Sequence, residues 1–284
     1  MKIAVLVTTF NRKDKTLSCL KHVFAQELSK DDTIEVFLTD DGSSDNTAGA
    51  VRRDYPSVHI YEGSGNLYWA GGMRHSWNKA RANGCYDFFF LINDDTTLEH
   101  DALSRLVNLH NYYKSGAGLE IIAIGSTKDA ETGKISYGGK KLNSKNSPKY
   151  TAVFSDSQPQ ECDFGNANIM LVPDKIVDRV GILAEKYIHG IADYDYTQRA
   201  QKLGFKSIVA PGVLGFCQDD HGHNWMPQKS GLRARIKYLY HPKGLAYNEY
   251  LYFIRSYFPG YYPIAVSKLW LKTLFPFLWG TFKK

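Results

Sequence analysis

The sequence predicts an α/β fold with a mostly parallel central sheet flanked by helices, and two observations support it. Short apolar runs rich in β-branched and aromatic residues occupy residues 3–8, 34–38, 58–61 and 86–92. Segments with apolar residues at helical spacing separate these runs. Strands that alternate with helices form parallel sheets covered on both faces. In such sheets ligands bind beyond the carboxyl ends of the strands.

Several of the predicted helices have a start or stop signal. In the first half, Ser43, Ser44 and Asp45 offer caps to a second helix, and a fourth helix is expected to begin near Thr97. A third helix is predicted at residues 71–82. The second half is a weaker mixture: short strands and glycine turns at 121–172, then helices near 174–183 and 193–203. Gly204 is expected to end the last of these helices.

Charge is distributed unevenly along the 284 residues. The net charge is +6, but residues 232–284 alone hold nine Lys/Arg, one acid (Glu249) and 15 of the 39 aromatic residues. A basic segment so rich in aromatics differs from a disordered nucleic-acid arm. The body is close to neutral and lacks a basic face, so nucleic acid is not an expected partner.

The cysteines and the N-terminal residues indicate a cytoplasmic protein. Cys19, Cys85, Cys162 and Cys217 show no CxxC spacing, which favours reduced thiols. Polar residues follow the first apolar run at once, without a small-residue cleavage site, so no signal peptide is expected.

Three of the predicted strands end in polar or acidic pairs. These are Thr8-Thr9, Asp40-Asp41 and Asp94-Asp95. Adjacent carboxylates repel each other unless a cation lies between them. A hard divalent cation such as Mg²⁺ or Mn²⁺, bridging to phosphate oxygens, suits that position. The sequence therefore predicts a metal and phosphate site at one edge of the sheet, although a strand that simply ends in a polar loop would explain one pair alone.

Four motifs in this order resemble those of the inverting family 2 glycosyltransferases of the GT-A fold, from residue 1 to about residue 225. They are Thr8-Thr9-Phe10-Asn11-Arg12, Asp40-Asp41-Gly42-Ser43-Ser44-Asp45-Asn46-Thr47, Asn93-Asp94-Asp95 and Asp193-Tyr194-Asp195. The resemblance implies transfer of a sugar from a nucleoside diphosphate donor with inversion at the anomeric carbon. It also implies a Mn²⁺ or Mg²⁺ cofactor.

The resemblance assigns roles on the donor side. Thr9, with Asn11 and Arg12, would contact the nucleotide. Asp41 would accept a hydrogen bond from the base ring, the alternative being a turn residue that caps the next helix. Asp94 would meet the ribose hydroxyls, and Asp95 would bind the metal. Because Asn93 stands where many relatives carry a third acid, we expect the metal to be held weakly and to arrive with the nucleotide.

A glycine-rich segment resembles the donor loop of the same family. Asn66, Gly71, Gly72 and Arg74 are its implied nucleotide contacts, with a helix N-terminus near Gly71 facing the diphosphate. Its form, Tyr-Trp-Ala-Gly-Gly-Met-Arg, is closest to the rhamnosyltransferase-like branch. The alternative is a tight loop that packs Trp69 into the core.

Direct displacement needs a base for the acceptor hydroxyl. The family places it at the start of a helix, and Asp193 is the candidate here, with an ordinary N-cap as the alternative. Ala192 replaces the usual Glu. Asp195 is expected to pair with Arg199 at i+4. By the same resemblance, Gly165 and Asn166 would line the acceptor side.

A later polar cluster supplies further candidates. His221 and His223 lie two residues apart, on one side of an extended chain, and are candidate ligands for the metal or the diphosphate, the alternative being surface histidines. Trp225 is a candidate acceptor contact. No further Cys or His cluster supports a zinc site.

We therefore predict a GT-A domain at residues 1–228 and a basic aromatic helical tail at residues 229–284. Pro263, Pro276 and two lysines argue against a membrane span in the tail. We expect an interfacial helix on the membrane, the alternatives being a lid on the catalytic domain or a homodimer contact. In the tail, Leu269, Trp270, Thr273, Leu274 and Phe277 are predicted to form one helical stripe.

The predicted function is extension of a bacterial surface polysaccharide, such as O-antigen or capsule, at the cytoplasmic face of the inner membrane. The donor would be a dTDP- or UDP-sugar, rhamnose-like or hexose, and the acceptor a saccharide or a lipid-linked saccharide. Two alternatives remain: a nucleotidyltransferase, and a catalytically inactive subunit that binds nucleotide sugars. The absence of GxGxxG after the first strand disfavours a dehydrogenase.

Overall fold

A computed structural model describes residues 1–218 and 231–278. Its strands are β1 (Lys2–Thr9), β2 (Thr33–Asp40), β3 (His59–Glu62), β4 (Phe88–Ile92), β5 (Thr97–Leu98), β6 (Ile121–Lys128), β7 (Ile135–Tyr137), β8 (Gly139–Ser144), β9 (Ser147–Val153), β10 (Gln160–Cys162), β11 (Phe164–Gly165), β12 (Ile169–Pro173) and β13 (Lys206–Phe216). Its α-helices are α1 (Lys13–Phe24), α2 (Thr47–Asp54), α3 (Tyr68–Asn83), α4 (Ala102–Ala117), α5 (Asp174–Val180), α6 (Ala192–Lys202), α7 (Leu232–Tyr240), α8 (Tyr247–Tyr257) and α9 (Tyr262–Leu274).

The large sheet is mixed, with a parallel half that contains the candidate site. Its strand order is β10-β13-β6-β12-β4-β1-β2-β3. The pairs β4–β1, β1–β2 and β2–β3 are parallel, whereas β12 runs antiparallel to both β4 and β6. The carboxyl ends of β1, β2 and β4 therefore lie at one edge, and the predicted fold class is confirmed.

Alternation along the strands divides the core into two layers. In β1, Ile3, Val5 and Val7 face the layer that contains α1 and α4, while Ala4 and Leu6 face the layer of α3, α6 and the tail helices. This is the period-two pattern of a strand covered on both faces. Buried strands fix the positions of the polar residues that follow them.

Two helix starts differ from prediction. Helix α3 begins at Tyr68 rather than near Gly71, because the carboxylate of Asp41 accepts a hydrogen bond from the Tyr68 N–H and so defines an earlier N-terminus. The fourth helix begins at Ala102 rather than near Thr97. Residues Thr97–Leu98 instead form β5, which pairs with the end of β13, a long-range contact that local caps do not reveal.

A second, three-stranded sheet in the order β11-β8-β9 lies beside α6. The sequence indicated only short strands and glycine turns here. In the register, Lys140 pairs with Phe164 of β11 and Ala152 of β9, and Leu142 pairs with Tyr150. These five side chains therefore share one face of the small sheet.

The tail helices share the core of the large domain. Leu239, Phe253, Ile254 and Leu269 are buried in the same layer as α3 and α6. This packing matches the lid alternative for residues 231–278. The division at 228/229 falls outside the described residues.

The residues of the predicted apolar stripe of the tail differ in burial. Leu269 and Thr273 are buried, whereas Leu274 and Phe277 are exposed. Helix α9 ends at Leu274, so Phe277 lies beyond the helix that contains the other stripe residues. Within the described ranges, no helix combines the length and apolar character needed to cross a bilayer.

Candidate active site

Two loops that follow neighbouring strands are joined by hydrogen bonds. Thr9 pairs with Asp40 in the β1–β2 register. Beyond the strands, Asn11 Oδ1 accepts from the Ser44 N–H at 2.7 Å, and the Asn11 N–H donates to Ser43 Oγ at 2.8 Å. Asn11 has a positive φ of 53°, a conformation that asparagine tolerates better than most residues. Asn11 thus holds the two loops together at the edge of the sheet.

Arg12 lies between the two carboxylates that follow β4. Its Nη1 lies 3.3 Å from Asp94 Oδ1 and 2.5 Å from Asp95 Oδ2. Burial is the main cause that raises the pKa of Asp94, to about 6; the Arg12 charge opposes this and the Asp95 charge adds to it. Arg12 therefore supplies positive charge between the two acids, and the predicted divalent cation stays a prediction.

Thr9 is buried next to Asp94 rather than exposed at the surface of the candidate site. Its side chain is 3% exposed, and its Oγ1 is bonded to Thr16 Oγ1 at 2.8 Å. A hydrogen bond from Thr9 also favours the ionised form of Asp94 and lowers its pKa. In this arrangement Thr9 orients Asp94 and has little surface for a nucleotide base.

Asp40 and Asp41 organise the backbone around the donor loop. Asp40 Oδ1 accepts from the Ser43 N–H at 2.9 Å, the turn-supporting role predicted for it. Asp41 Oδ1 accepts from the Gly65 N–H at 2.8 Å, and its Oδ2 accepts from the Tyr68 N–H at 2.9 Å. Asp41 therefore stabilises the loop and the N-terminus of α3.

The two glycines assigned to the nucleotide have a packing role here. A Cβ on Gly72 would lie 2.0 Å from Thr8 Oγ1, so glycine lets α3 approach β1 closely. The Gly71 N–H donates to Leu67 O at 3.1 Å within the helix. Because α3 begins earlier than predicted, the expected helix N-terminus at Gly71 is corrected.

Arg74 lies in α3, and Asn66 lies in the donor loop that precedes this helix. Arg74 Nη1 donates to the carbonyls of Ala184 and Tyr187, at 2.9 and 2.7 Å, and so ties α3 to the segment before α6. Asn66 is exposed at the loop tip. The nucleotide roles of Asn66 and Arg74 stay predictions.

Trp69 links the donor side to the acceptor side. Its indole N–H donates to Asn93 Oδ1 at 2.8 Å. The Asn93 backbone N–H in turn donates to Asn168 O at 3.4 Å. Asn93 thus has a structural partner at the position where relatives carry an acid. The sequence carried no signal for this bond.

Asp193 lies in the first turn of α6. Its Oδ1 accepts from the Tyr194 N–H at 2.9 Å. Its Oδ2 accepts from Asn166 Nδ2 at 3.2 Å and from the Ala167 N–H at 3.3 Å. Burial raises the pKa of Asp193, and the Lys140 charge and these hydrogen bonds only partly offset that rise. A held carboxylate with a raised pKa suits a general base.

The neighbouring Asp195 has a different role. Arg199 Nε donates to its Oδ2 at 2.8 Å, which confirms the predicted i+4 pair. The hydroxyls of Tyr187 and Tyr257 donate to its Oδ1 at 3.1 and 2.8 Å. Asp195 is 3% exposed. Because Tyr257 belongs to the tail helix α8, its bond to Asp195 joins α6 to that helix.

The acceptor-side residues differ in accessibility. A Cβ on Gly165 would lie 2.5 Å from Ile124 Cδ1, so Gly165 permits close packing rather than lining a surface. Asn166 is 8% exposed, and its Oδ1 has no hydrogen-bond partner among the described residues. Trp225 lies outside the part of the chain that the structure describes.

Asp94 and Asp95 offer the hard oxygen atoms that Mg²⁺ and Mn²⁺ prefer. Asp95 also lines a cleft with Lys15 and Gln218. Within residues 1–218 and 231–278, no group of three or more His, Cys, Asp or Glu could hold a metal. His221 and His223 lie outside those ranges. The donor set therefore fits a metal that needs further ligands from a nucleotide.

Two residues that contact Tyr194, Lys140 and Tyr150, lie outside every motif of the sequence analysis. Lys140 Nζ lies 4.7 Å from the centroid of the Tyr150 ring and 4.8 Å from that of Tyr194. Lys140 also donates to the Tyr194 hydroxyl. Because the small sheet brings Lys140 and Tyr150 to Tyr194 over long sequence distances, motif spacing could not reveal these contacts.

The family model described as Glycosyl transferase family 2 matches residues 4–176, more than half of the chain. The chain therefore belongs to glycosyl transferase family 2, as its motifs predicted. An uncharacterized glycosyltransferase of Mycoplasma pneumoniae, the MG060 homolog, is 28% identical over 114 residues, which cover 38% of this chain and 36% of that protein. The rhamnosyltransferase-like branch stays a prediction.

Solved structures agree with this assignment at the level of fold. The mannosyltransferase PcManGT of Pyrobaculum calidifontis, in complex with GDP-Man and Mn²⁺, matches with a TM-score of 0.56 and 16% identity over 97% of this chain and 71% of that one. S. aureus TarS 1-349 in complex with UDP-GlcNAc matches with a TM-score of 0.54 and 13% identity over 78% and 60% of the two chains. The fold is that of the GT-A glycosyltransferases.

Proposed function

We propose that this protein is a metal-dependent, inverting glycosyltransferase. It takes a hexose or deoxyhexose from a dTDP- or UDP-sugar and adds it to a saccharide or lipid-linked saccharide in bacterial surface polysaccharide synthesis. The observation that carries this proposal is the series of hydrogen bonds that connects the strand-end acids with Asp193. Asp41 holds the start of α3, Trp69 of α3 bonds Asn93 beside Asp94 and Asp95, and Asn93 bonds the segment that holds Asp193.

On the acceptor side, Asp193 takes the proton of the attacking hydroxyl. The acceptor oxygen forms a bond to the anomeric carbon while the bond from that carbon to the diphosphate breaks, and the electron pair leaves with the diphosphate. Three N–H donors hold the Asp193 carboxylate, which limits its motion and supports the near-attack geometry. Burial raises its pKa toward the range in which a base works well near neutral pH.

On the donor side, Asp94 and Asp95 are the residues that would hold a divalent cation. Bound there, the cation would offset the negative charge of the departing diphosphate. Arg12 reaches the same carboxylates and is placed to pair with phosphate oxygens when they arrive. PcManGT with GDP-Man and Mn²⁺, and TarS with UDP-GlcNAc, support a nucleotide sugar and a divalent metal for this chain as well.

The tail suits contact with an anionic bilayer surface. Helix α9 and the residues just after it expose five large apolar side chains, Ile264, Leu271, Leu274, Phe275 and Phe277. The one acid of the tail, Glu249, is 8% exposed and accepts from the Ile188 N–H at 2.9 Å. The accessible charge of the tail is therefore basic. Apolar residues beside basic ones bind anionic headgroups, and a lipid-linked acceptor would give this contact its purpose.

A thermal-shift screen of UDP-, dTDP- and GDP-sugars, with and without Mn²⁺, tests the donor assignment. A ligand that binds only the folded protein raises its melting temperature. We expect one nucleotide class to raise it in Mn²⁺ and to lose most of that effect in EDTA. Slow release of free sugar from the same donor would show that the protein is an enzyme and not an inactive subunit that only binds nucleotide sugars. A melting temperature that no nucleotide sugar raises would contradict the proposal.

A further inference from the structure

The small three-stranded sheet presents one exposed aromatic ring beside the proposed base. Tyr150 of β9 is 45% exposed. Its ring stands edge-on to Phe164 at 6.1 Å and to Tyr194 at 6.3 Å. Phe164 and Tyr194 are themselves stacked at 4.9 Å. Such a supported ring keeps one orientation while leaving part of its surface available to a ligand.

A buried amide oxygen lies close to this ring cluster. Asn166 Nδ2 lies 3.2 Å from Asp193 Oδ2 and 3.4 Å from the Tyr194 hydroxyl. An ionised carboxylate only accepts hydrogen bonds, so the NH₂ group must face Asp193 and the Oδ1 atom must face elsewhere. That Oδ1 lacks a partner within the described part of the chain. A buried acceptor without a partner costs free energy, which a ligand hydroxyl would recover.

Lys140 fixes the arrangement. Its ammonium group lies over the rings of both Tyr150 and Tyr194 and donates to the Tyr194 hydroxyl. A cation held between two aromatic faces restrains both rings. Since Asn166 bonds the same hydroxyl, the position of Lys140 is coupled to that of the amide and of Asp193.

We propose that Tyr150 and Asn166 form the subsite for the acceptor saccharide. Lys140 is the positioning residue that holds this subsite next to Asp193. This inference rests on the proposed transferase function. A pyranose ring has an apolar face that suits an aromatic surface and hydroxyl groups that suit an amide oxygen. A sugar hydroxyl that donates to Asn166 Oδ1 would place a neighbouring part of the same sugar near Asp193, the proposed general base that Asn166 contacts.

Saturation-transfer NMR on the full chain tests the subsite with the methyl glycosides of glucose, galactose, mannose, rhamnose and N-acetylglucosamine. Each is added at millimolar concentration in the presence of Mn²⁺ and the nucleoside diphosphate selected by the thermal-shift screen. We expect at least one glycoside to give ring-proton signals. Tyr150→Ala should weaken its binding about tenfold, whereas Tyr150→Phe, which keeps the ring, should not.

Tyr112→Ala is the matched control, because Tyr112 is 72% exposed on α4. The melting temperature of each variant shows that it is folded. The subsite is wrong if no glycoside binds the wild type, or if Tyr150→Ala and wild type bind equally. Calorimetric titration of the same samples with the nucleotide and Mn²⁺ separates the two proposals. If the wild type binds the nucleotide but no glycoside, the subsite alone is rejected. If the wild type does not bind the nucleotide, the transferase function is rejected.

Discussion

Nη1 of Arg12 lies 3.3 Å from Oδ1 of Asp94. The same nitrogen contacts Asp95, so one guanidinium group bridges two adjacent carboxylates. The Arg12 side chain is 39% exposed, and those of the two acids are 9% and 8% exposed. The acids are therefore largely shielded from solvent, while the Arg12 side chain is partly exposed.

Replacing Arg12 with Gln should destabilise the protein when no metal is present. Two neighbouring carboxylates would lose their counter-ion, at a cost of about 1–2 kcal/mol, between the values for exposed and buried ion pairs. The melting temperature in EDTA should fall by about 2–8 °C, and millimolar Mn²⁺ should raise it more than in the wild type. Arg53→Gln, which breaks the exposed pair with Asp54, is the control. An unchanged melting temperature for Arg12→Gln in EDTA would contradict this role.

The pH dependence of turnover should follow Asp193. Burial raises the pKa of this carboxyl group, and a base must be ionised, so activity should decline at a higher pH than an ordinary aspartate would require. Lys140 is the charged group that opposes the rise. Lys140→Met should therefore raise the Asp193 pKa further and shift the acidic limb of kcat to higher pH.

The other groups facing Asp193 keep this experiment simple. The Asn166 amide does not titrate, and burial raises the pKa of the Tyr194 hydroxyl well above its usual value, so it stays neutral. Lys141→Met is the matched control, since Lys141 is exposed and pairs with Glu161 and Asp163. If the acidic limb of kcat in Lys140→Met stays in place or moves to lower pH, the electrostatic coupling between Lys140 and Asp193 is excluded.

The contact between the tail and α6 should contribute to stability. Tyr257→Phe removes a hydroxyl that donates to the buried Asp195 at 2.8 Å, and hydrogen bonds to charged groups are worth about 1.5–3 kcal/mol. We expect a lower melting temperature by calorimetry. Tyr252→Phe, an exposed tyrosine of the same helix, should leave it unchanged. Equal melting temperatures for the two variants would show that the tail does not stabilise α6 through this bond.

Vesicle binding tests the exposed face of α9. The full chain should co-sediment with phosphatidylglycerol vesicles and much less with phosphatidylcholine vesicles, because basic residues bind anionic lipid. Leu271→Glu combined with Phe275→Glu should abolish that binding, and Tyr112→Glu should not. The membrane proposal is wrong if the wild type does not bind vesicles and is a dimer in sedimentation equilibrium while the double variant is a monomer. The exposed face would then bind a second copy of the chain.

The parallel half of the sheet and its strand-end acids could be predicted from the sequence. Short buried runs, each followed by a motif, are enough to predict that Asp40, Asp41, Asp94 and Asp95 lie at one edge of the sheet. The i+4 spacing of Asp195 and Arg199 was equally local. These features depend on neighbours in sequence, which is why pattern and spacing were sufficient.

What the sequence could not provide depends on distant contacts. The α3 start at Tyr68 needs the carboxylate of Asp41, and β5 exists because β13 pairs with it. Lys140 and Tyr150 reach Asp193 only through the small sheet. For Gly72, a glycine-rich pattern fits both a phosphate loop and a close helix–strand contact; the distance to Thr8 shows the close contact, and the nucleotide role stays a prediction.

The central claim is that Asp193 removes a proton on one side of a cleft whose other side binds the nucleotide. It is tested most directly by measuring nucleotide affinity and sugar turnover together for Asp193→Asn. We expect the dissociation constant in Mn²⁺ to stay within about twofold of the wild type while turnover falls by about 10²–10⁴. Near-normal turnover in Asp193→Asn would contradict the account.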